Sequence, residues 1–256
     1  MHVETLVSSP WLNIAYVGGP TAILEIDGLR LLTDPTFDPA GSEYKTKEYT
    51  LHKLKGPAIA ADAIGHIDAV LLSHDQHFDN LDRAGREFLP SAGRVITTAA
   101  GAERLLGPST GLAPWQLVEI STHGGRTMRV TGTPARHGPA GGDRGPVTGF
   151  VLTLSDDAAN GVYISGDTVW YEGVAEVAKR FAIGTAILFM GAARVREVGP
   201  AHLTMTAAEG VHAARAFPQA TITPLHYEGW EHYSESREVI QSAFDAAGLA
   251  GRLCWP

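Results

Sequence analysis

Four segments of this chain place a histidine or an aspartate directly after an apolar run of β-strand type. They are "SHDQHFDN" after residues 67–73, "ARHGP" after 126–133, "SGDT" after 161–166 and "PLHYEGW" after 220–224. Side chains at the ends of neighbouring strands converge without a long reach, and converging imidazole and carboxylate groups are the usual ligands of divalent metals. The pattern therefore predicts a layered sheet protein with a metal site at one sheet edge.

The remaining sequence supplies the elements of such a fold. Strands are predicted at residues 11–17, 21–27, 29–35, 67–73, 94–98, 115–120, 126–132, 149–154, 161–167, 185–190, 220–225 and 252–255. Helices are predicted at 79–89, 171–181, 204–217 and 235–248, the third beginning with a capping box formed by Thr206 and Glu209. Residues 35–66 form a long irregular excursion, which in a compact domain usually flanks a binding site. Strand clusters with interleaved helices indicate an α/β protein, with two sheets and outer helices in a single domain over residues 1–256.

Composition narrows the class of partner and the compartment. The formal net charge is −8 without a run of either sign, so nucleic acid is an unsuitable partner and a small-molecule substrate is expected. The single Cys254 excludes an internal disulfide. The N-terminal stretch lacks the pattern of a signal peptide, and no apolar run approaches the roughly 20 residues that span a bilayer. We expect a cytoplasmic protein without membrane insertion. The sequence does not decide whether it forms a homo-oligomer.

Taken in this order, the four segments resemble the metallo-β-lactamase superfamily, whose pattern is His-x-His-x-Asp-His after a strand, then a lone His, a lone Asp and a final His. "AYVGGPTAILEIDGLRLLTDPTF", "LLSHDQHFDNLD", "SGDTVWY" and "TPLHYEGW" more narrowly resemble the branch with the ascorbate-6-phosphate lactonases and the phospholipase D enzymes acting on N-acyl phosphatidylethanolamine. The likeness spans about residues 12–232. It implies an αββα sandwich with a metal centre at one edge, and hydrolysis by a metal-activated water.

The resemblance also implies a ligand set. Carried over position by position, the implied ligands are His77, Asp79, His137, Asp167 and His226, with Asp167 as the bridging carboxylate between two metals. Zinc is the first expectation for the divalent metal, with manganese or iron as alternatives and one or two ions in the site. Asp79 is in addition the candidate catalytic residue, because a carboxylate there orients the attacking water or takes its proton.

The first motif departs from the family pattern at two positions. Aligned from its left end, it places His74 as the first ligand; aligned without a gap from its right end, it places Asp75 there, and the strand register favours His74. Asn80 stands where the family has histidine. An amide oxygen is a neutral ligand that suits hard cations better than zinc, so the second metal position is weakened or altered, and His202 is a candidate to complete it.

Substrate class stays at the level of a hypothesis. The leading interpretation is a lactonase-like, metal-dependent hydrolase of an ester-like bond, in a lactone or a phosphodiester. The alternatives are a β-lactamase or thioester hydrolase, and a non-catalytic protein with a degraded metal site. Trp170, Tyr227 and Trp230 are candidates to line a substrate pocket. They are equally expected to pack the edge of the sandwich.

Overall fold

The described part of the chain forms two β-sheets packed face to face, with helices on both outer faces. In this computed structural model, residues 5–9, 11–105 and 107–255 are described. Residues 1–4, part of the stretch on which the expectation about a signal peptide rests, lie outside them.

The strands and helices of the described residues follow one another along nearly the whole chain. The strands are β1 (Thr5–Ser9), β2 (Leu12–Gly18), β3 (Thr21–Ile26), β4 (Leu29–Thr33), β5 (Glu43–Lys45), β6 (Thr50–His52), β7 (Ala69–Leu71), β8 (Val95–Thr98), β9 (Ser109–Leu112), β10 (Leu117–Ser121), β11 (Thr127–Pro134), β12 (Thr148–Leu154), β13 (Asp157–Ile164), β14 (Ile183–Phe189) and β15 (Thr221–Leu225). The α-helices are α1 (Arg83–Phe88), α2 (Ala99–Arg104), α3 (Glu172–Arg180), α4 (Ala207–Ala216) and α5 (Arg237–Ala246). Short 3-10 turns cover Ala61–Ala63, Leu89–Ser91 and Ala250–Arg252.

Each of the two large sheets combines an antiparallel part with a parallel part, and β5 and β6 form a separate antiparallel pair. The first sheet has the order β1-β2-β3-β4-β7-β8-β9, and β4, β7, β8 and β9 run parallel. The second has the order β10 to β15, with β13, β14 and β15 parallel. The predicted turn at Asp27 and Gly28 joins β3 to β4; both residues have positive φ, 47° and 83°, as the tight hairpin turn requires.

Three apolar layers hold the sheets and helices together. The central layer lies between the sheets and contains side chains such as Leu24, Leu31, Phe150 and Ile187. A second layer fills the space between the six-stranded sheet and α3, α4 and α5, and a third covers the outer face of the seven-stranded sheet. The predicted α/β fold with two sheets and outer helices is therefore confirmed. No helix of the described residues is long and apolar enough to cross a membrane.

The prediction of a last strand at 252–255 is wrong, because these residues form no regular strand. Residues Ala250–Arg252 form a 3-10 turn, and Leu253 makes a single isolated bridge to Ile222. The physical reason is the side chain of Arg252, which donates to the carbonyl oxygens of Ala214 and Ala220 at 2.5 and 2.9 Å. These bonds satisfy carbonyl groups at the end of α4 and hold the segment across that helix end.

The excursion at residues 35–66 is anchored to the start of α1 by one buried carboxylate. Asp82 caps α1 by accepting from the Gly85 amide at 2.8 Å. It also accepts from the amides of Phe37 and Asp38 and from Lys53 Nζ, the last at 2.8 Å. Because Asp82 performs the capping, Asp79 is free for another role. The excursion is consequently fixed beside the strand ends that carry the histidines.

Candidate metal centre

The four predicted segments meet at one edge of the two sheets. Strand β11 is antiparallel to β12, which is antiparallel to β13, so β11, β13 and β15 end on the same side. The first sheet joins this edge after β7, where the Thr148 amide donates to the Ser73 carbonyl at 3.0 Å. Topology alone therefore brings the residues that follow these four strands together.

Two backbone positions allow the close approach. Gly166 has φ +58°, and a Cβ there would lie 2.7 Å from the Thr148 carbonyl oxygen and 2.9 Å from Ser73 Cβ, so a side chain would separate the two sheets. His226 has φ +58° in a region that L-residues rarely occupy. Its amide donates to the Gly19 carbonyl at 2.9 Å, which holds the turn. Strained positions of this kind are typical of functional sites.

Two groups of candidate ligands are called the ligand groups, and the first consists of His74, His77 and His137. Nδ1 of His77 lies 2.9 Å from Nε2 of His74 and 3.1 Å from Nε2 of His137. Nitrogen atoms bound tetrahedrally to one zinc ion at about 2.0–2.1 Å are separated by about 3.3 Å. The spacing of the three nitrogens thus fits a single divalent ion.

Hydrogen bonds on the outer nitrogens fix the ring orientation of two of these histidines. Ser73 Oγ donates to Asp34 at 2.6 Å, so it accepts from Nδ1–H of His74 at 2.9 Å. Nδ1–H of His137 donates to the Leu203 carbonyl at 2.9 Å. In both rings the lone pair of Nε2 is therefore left for the ligand group, which is the support that metal-binding histidines usually have.

The second ligand group consists of Asp79, Asp167 and His226. Nε2 of His226 lies 3.3 Å from Asp167 Oδ1 and 3.7 Å from Asp79 Oδ2, and the three ligand atoms lie within 4.8 Å of one another. The Tyr233 hydroxyl contacts Nδ1 of His226 at 2.6 Å and holds that ring. The other oxygen of Asp167 lies 3.4 Å from His137 Nε2, so Asp167 stands between the two groups.

Burial and neighbouring charge set the protonation that metal binding needs. Burial, with a further contribution from His137, lowers the pKa of His77 to about 4. Burial alone would raise the pKa of Asp167, but His226 and His137 hold it below its usual range. Burial alone would also raise the pKa of Asp79. The hydrogen bond from His232 and the charge of His226 nevertheless hold this pKa below its usual range. Near pH 7 the site combines a neutral imidazole with ionised carboxylates, the forms that bind cations.

The donor set fits divalent metal ions. Oδ2 of Asp167 is buried and has no hydrogen-bond partner among the described residues, although it faces the histidine group. A buried carboxylate oxygen without a partner is costly, and a cation held between the groups would satisfy it. Three imidazoles suit zinc, whereas two carboxylates with one imidazole also suit manganese or iron.

The structure separates the two candidates for the first position. His74 lies within the histidine group, whereas the carboxylate of Asp75 faces away and forms an ion pair with Arg104, with Oδ2 at 2.9 Å from the guanidinium Nε. Asp75 is thereby held against α2. This supports His74 as the ligand of the first motif.

Asn80 is placed between two carboxylates. Its fully buried amide Nδ2 donates to Asp34 Oδ2 at 3.1 Å and to Asp167 Oδ1 at 3.2 Å. In this orientation its amide nitrogen, and not its oxygen, faces the ligand Asp167. The position that holds histidine in the family pattern therefore supplies hydrogen-bond donors here.

His202 is placed outside both ligand groups. Its Nε2 lies 3.1 Å from the Glu209 carboxylate, which closes the predicted capping box of α4 with Thr206. The next residue, Leu203, is the one that contacts the site, through its carbonyl bond to His137. The segment thus supports a ligand through its backbone, and His202 belongs to the helix start.

The three aromatic residues predicted for the pocket pack elsewhere. Trp170 and Tyr227 belong to the layer under the outer helices, and Trp230 is buried against Tyr44 and Lys53. The cavity beside the ligand groups is narrow: about 20 Å³ of it is accessible to a water-sized molecule, and the surrounding space of about 320 Å³ includes open solvent. Its lining comprises Tyr49, Leu51, His77, Asp79, His137, Arg144, Ala193, Val195, Val198, Leu203 and His232. Two of these wall residues come from the excursion at 35–66.

His232 lies at the site but was not among the residues predicted from the sequence. Nε2 of His232 lies 3.0 Å from Asp79 Oδ2, and the ring lines the cavity. The available signal was its place in "HYEGWEH", the same loop as His226. A position this far past the strand end depends on how the loop folds back, which the strand pattern does not specify.

Comparison with known proteins identifies the family. The model of the beta-lactamase superfamily domain matches residues 29–227, which include both ligand groups and most of both sheets. This chain belongs to that family. The resemblance to the metallo-β-lactamase superfamily is therefore confirmed.

Relatives and solved structures cover nearly the whole chain. A metal-dependent hydrolase of Pyrobaculum neutrophilum is 25% identical over 247 residues, 93% of this chain and 94% of that protein. The fold is similar to isothiocyanate hydrolase from Delia radicum gut bacteria, with TM-score 0.81, 21% identity and 95% coverage of each chain. A possible metal-dependent hydrolase from Veillonella parvula also has TM-score 0.81, with 17% identity and 97% coverage of each chain. The family, these relatives and the two ligand groups support an enzyme of the metal-dependent hydrolase class.

Proposed function

We propose that this protein hydrolyses an ester-like bond of a small molecule at the metal centre formed by the two ligand groups. The observation that carries the proposal is the placement of Asp167 between the groups, with its Oδ1 at His226 and its Oδ2 at His137. A divalent ion bound there lowers the pKa of water from 15.7 to about 7 and polarises a carbonyl or phosphoryl oxygen.

The side chains of the chain itself would hold and orient the reactants. His74, His77 and His137 would hold one ion, and Asp79, Asp167 and His226 would hold a second. Asp79 also lines the cavity, so its carboxylate is placed to orient the attacking water or to take its proton. The burial of these side chains limits their contact with bulk water and strengthens their electrostatic interactions.

The cavity wall favours a compact neutral substrate. Leu51, Ala193, Val195, Val198 and Leu203 form the apolar part of the wall, and the guanidinium among the described lining residues, that of Arg144, pairs with Glu48 at 3.1 Å. A phosphodiester would have its charge held by the metal ions alone, because Arg144 is already paired with Glu48, whereas a lactone carries no charge to neutralise. We therefore rank a lactone above a phosphodiester as the substrate class.

The same wall favours a second candidate, an isothiocyanate. The substrate group named for the Delia radicum bacterial enzyme is a linear electrophile without charge, which suits a narrow cavity whose wall is partly apolar. Metal-activated water attacks the central carbon of that group as it attacks a carbonyl carbon. Lactone and isothiocyanate are the two classes with the highest priority in a substrate screen.

The test combines metal analysis with activity. We expect freshly purified protein to carry at least one equivalent of a transition metal and to hydrolyse a member of the lactone, isothiocyanate, phosphodiester or thioester panel. Asp79→Asn and His137→Ala should each lower kcat/KM at least about 100-fold, because even outer partners of metal ligands contribute 10–100-fold. His123→Ala is the control, since His123 is an exposed residue paired with Asp68.

Two results would contradict the proposal. If Asp79→Asn and His137→Ala keep both metal and activity, the site assignment fails. If the wild-type protein holds less than about a tenth of an equivalent, with no gain on reconstitution, the non-catalytic alternative takes its place.

A further inference from the structure

The second ligand group lacks one ligand that the family pattern would supply. Asp79, Asp167 and His226 offer three ligand atoms, whereas a metal held by protein ligands commonly has four or more. The histidine of the family pattern is replaced by Asn80, whose amide nitrogen is engaged by Asp34 and Asp167. An ion in this position therefore needs another donor from the chain or from solvent.

His232 is the histidine beside this group that the family pattern does not assign. Its Nε2 lies 3.0 Å from Asp79 Oδ2, the same oxygen that faces Nε2 of His226 at 3.7 Å. The contact matches the 2.9 and 3.1 Å spacings between ligand nitrogens in the first group. Its side chain is only 9% exposed, so the imidazole is committed to the site and not to solvent.

The ring of His232 makes fewer hydrogen bonds than the rings of His74 and His137. His74 and His137 have both nitrogens engaged, through Ser73 and Leu203 on the outer side. Nδ1 of His232 is buried and has no hydrogen-bond partner among the described residues, so the hydrogen bond to Asp79 is the one that the ring itself makes there. His232 is also not among the ligand atoms that lie within 4.8 Å of one another, so ligation requires the ring to turn.

We propose that His232 completes the second metal position in place of the histidine that Asn80 replaces. His232 would bind through Nε2 as a neutral imidazole with its proton on Nδ1, and its ring would turn from Asp79 Oδ2 toward the ion. The site would then have three imidazoles on one ion, and two carboxylates with two imidazoles on the other. This inference rests on the proposed metal-dependent function and assigns the ligand that the second ion needs.

The test measures metal binding directly and does not depend on a known substrate. Metal-depleted wild-type protein is titrated with Co²⁺ and with Zn²⁺ alone, and bound metal is quantified by mass spectrometry after gel filtration. We expect two ions per wild-type chain, and about one for His232→Ala or a loss of second-ion affinity exceeding about 100-fold, beyond the effect of an outer partner. His232→Gln, of similar size, guards against a folding defect, and His123→Ala should retain two ions.

Two further variants separate ligation from mere positioning of Asp79. Asn80→His restores the family ligand, so the double variant Asn80→His with His232→Ala should regain the second ion. His232→Cys loaded with Co²⁺ should show a thiolate-to-cobalt charge-transfer band, because a thiolate at this position would bind the ion. Wild-type protein, whose single cysteine is Cys254, is the control for that band.

The results distinguish failure of this inference from failure of the proposed function. Two ions in His232→Ala with second-ion affinity within about tenfold of wild type would overturn the ligand role while leaving the hydrolase proposal intact. A wild-type chain that binds only one ion would also overturn it, because no second position would exist to complete. A wild-type chain that binds none would overturn both.

Discussion

The buried ion pair between Lys53 and Asp82 fixes the excursion that forms one wall of the cavity, and its removal gives a quantitative test. The two side chains are 3% and 0% exposed and lie 2.8 Å apart. We expect Asp82→Asn to lower the free energy of unfolding by about 3–5 kcal/mol, because Lys53 would stay buried without its counter-charge. The asparagine oxygen can still cap the Gly85 amide, so the loss of the helix cap adds at most about 1 kcal/mol.

This loss should be visible in both stability and substrate binding. A change of 1 kcal/mol shifts the melting midpoint by about 2–4 °C in proteins of 150–250 residues, so Asp82→Asn should lower Tm by roughly 6–20 °C. Urea unfolding gives the free energy directly. Because Tyr49 and Leu51 lie in the same excursion and line the cavity, KM should rise more than kcat falls.

A double-mutant cycle with Lys53→Met decides whether the ion pair is responsible. Removing the lysine as well should recover part of the stability lost in Asp82→Asn, with a coupling energy of about 0.5–3 kcal/mol. A loss below about 1 kcal/mol in Asp82→Asn would refute the reasoning. So would single effects that add within about 0.5 kcal/mol in the double variant.

The remaining predictions concern the first ligand and the buried acid behind it. His74→Ala should lose about one equivalent of metal, whereas Asp75→Asn should keep its metal content because Asp75 pairs with Arg104. Mass spectrometry of the purified variants measures both metal contents. Equal losses in the two variants would contradict the assignment of His74. Burial raises the pKa of Asp34 to about 7, so between its usual value and pH 7 the folded metal-free protein binds more protons than the unfolded chain. Its stability contribution should fall as pH rises through this window, by up to about 1.4 kcal/mol per pH unit, and Asp34→Asn should remove that slope from urea unfolding curves.

The convergence of the candidate ligands could be predicted because their positions at strand ends depend on local pattern. The position of a histidine or aspartate immediately after an apolar strand is fixed by the end of that strand. His137, Asp167 and His226 all lie where their strands end. The sheet topology then brings them together without further information. The same reasoning placed Thr206 and Glu209 correctly as a capping box, since that contact spans a single helical turn.

Residues whose role depends on distant partners could not be predicted in this way. Asp34 contacts Ser73 across two strands, and His232 contacts Asp79 from the far end of its loop. Trp230 looked like a pocket residue because it follows a ligand, yet the loop turns it onto Tyr44. These contacts depend on how the excursion and the last loop pack together, which strand spacing does not encode.

Asn80 itself has a physical explanation in the donors that an amide carries. Hydrogen bonds run from His74 to Ser73, from Ser73 to Asp34, and from Asn80 to both Asp34 and Asp167. They form one continuous path between the two ligand groups. The NH₂ group has two donors on one nitrogen and can serve two carboxylates at once, whereas a neutral imidazole has one. Asparagine in place of histidine thus supplies a link between the groups where the family pattern has a ligand, and the coordination position this leaves is the one that we propose His232 fills.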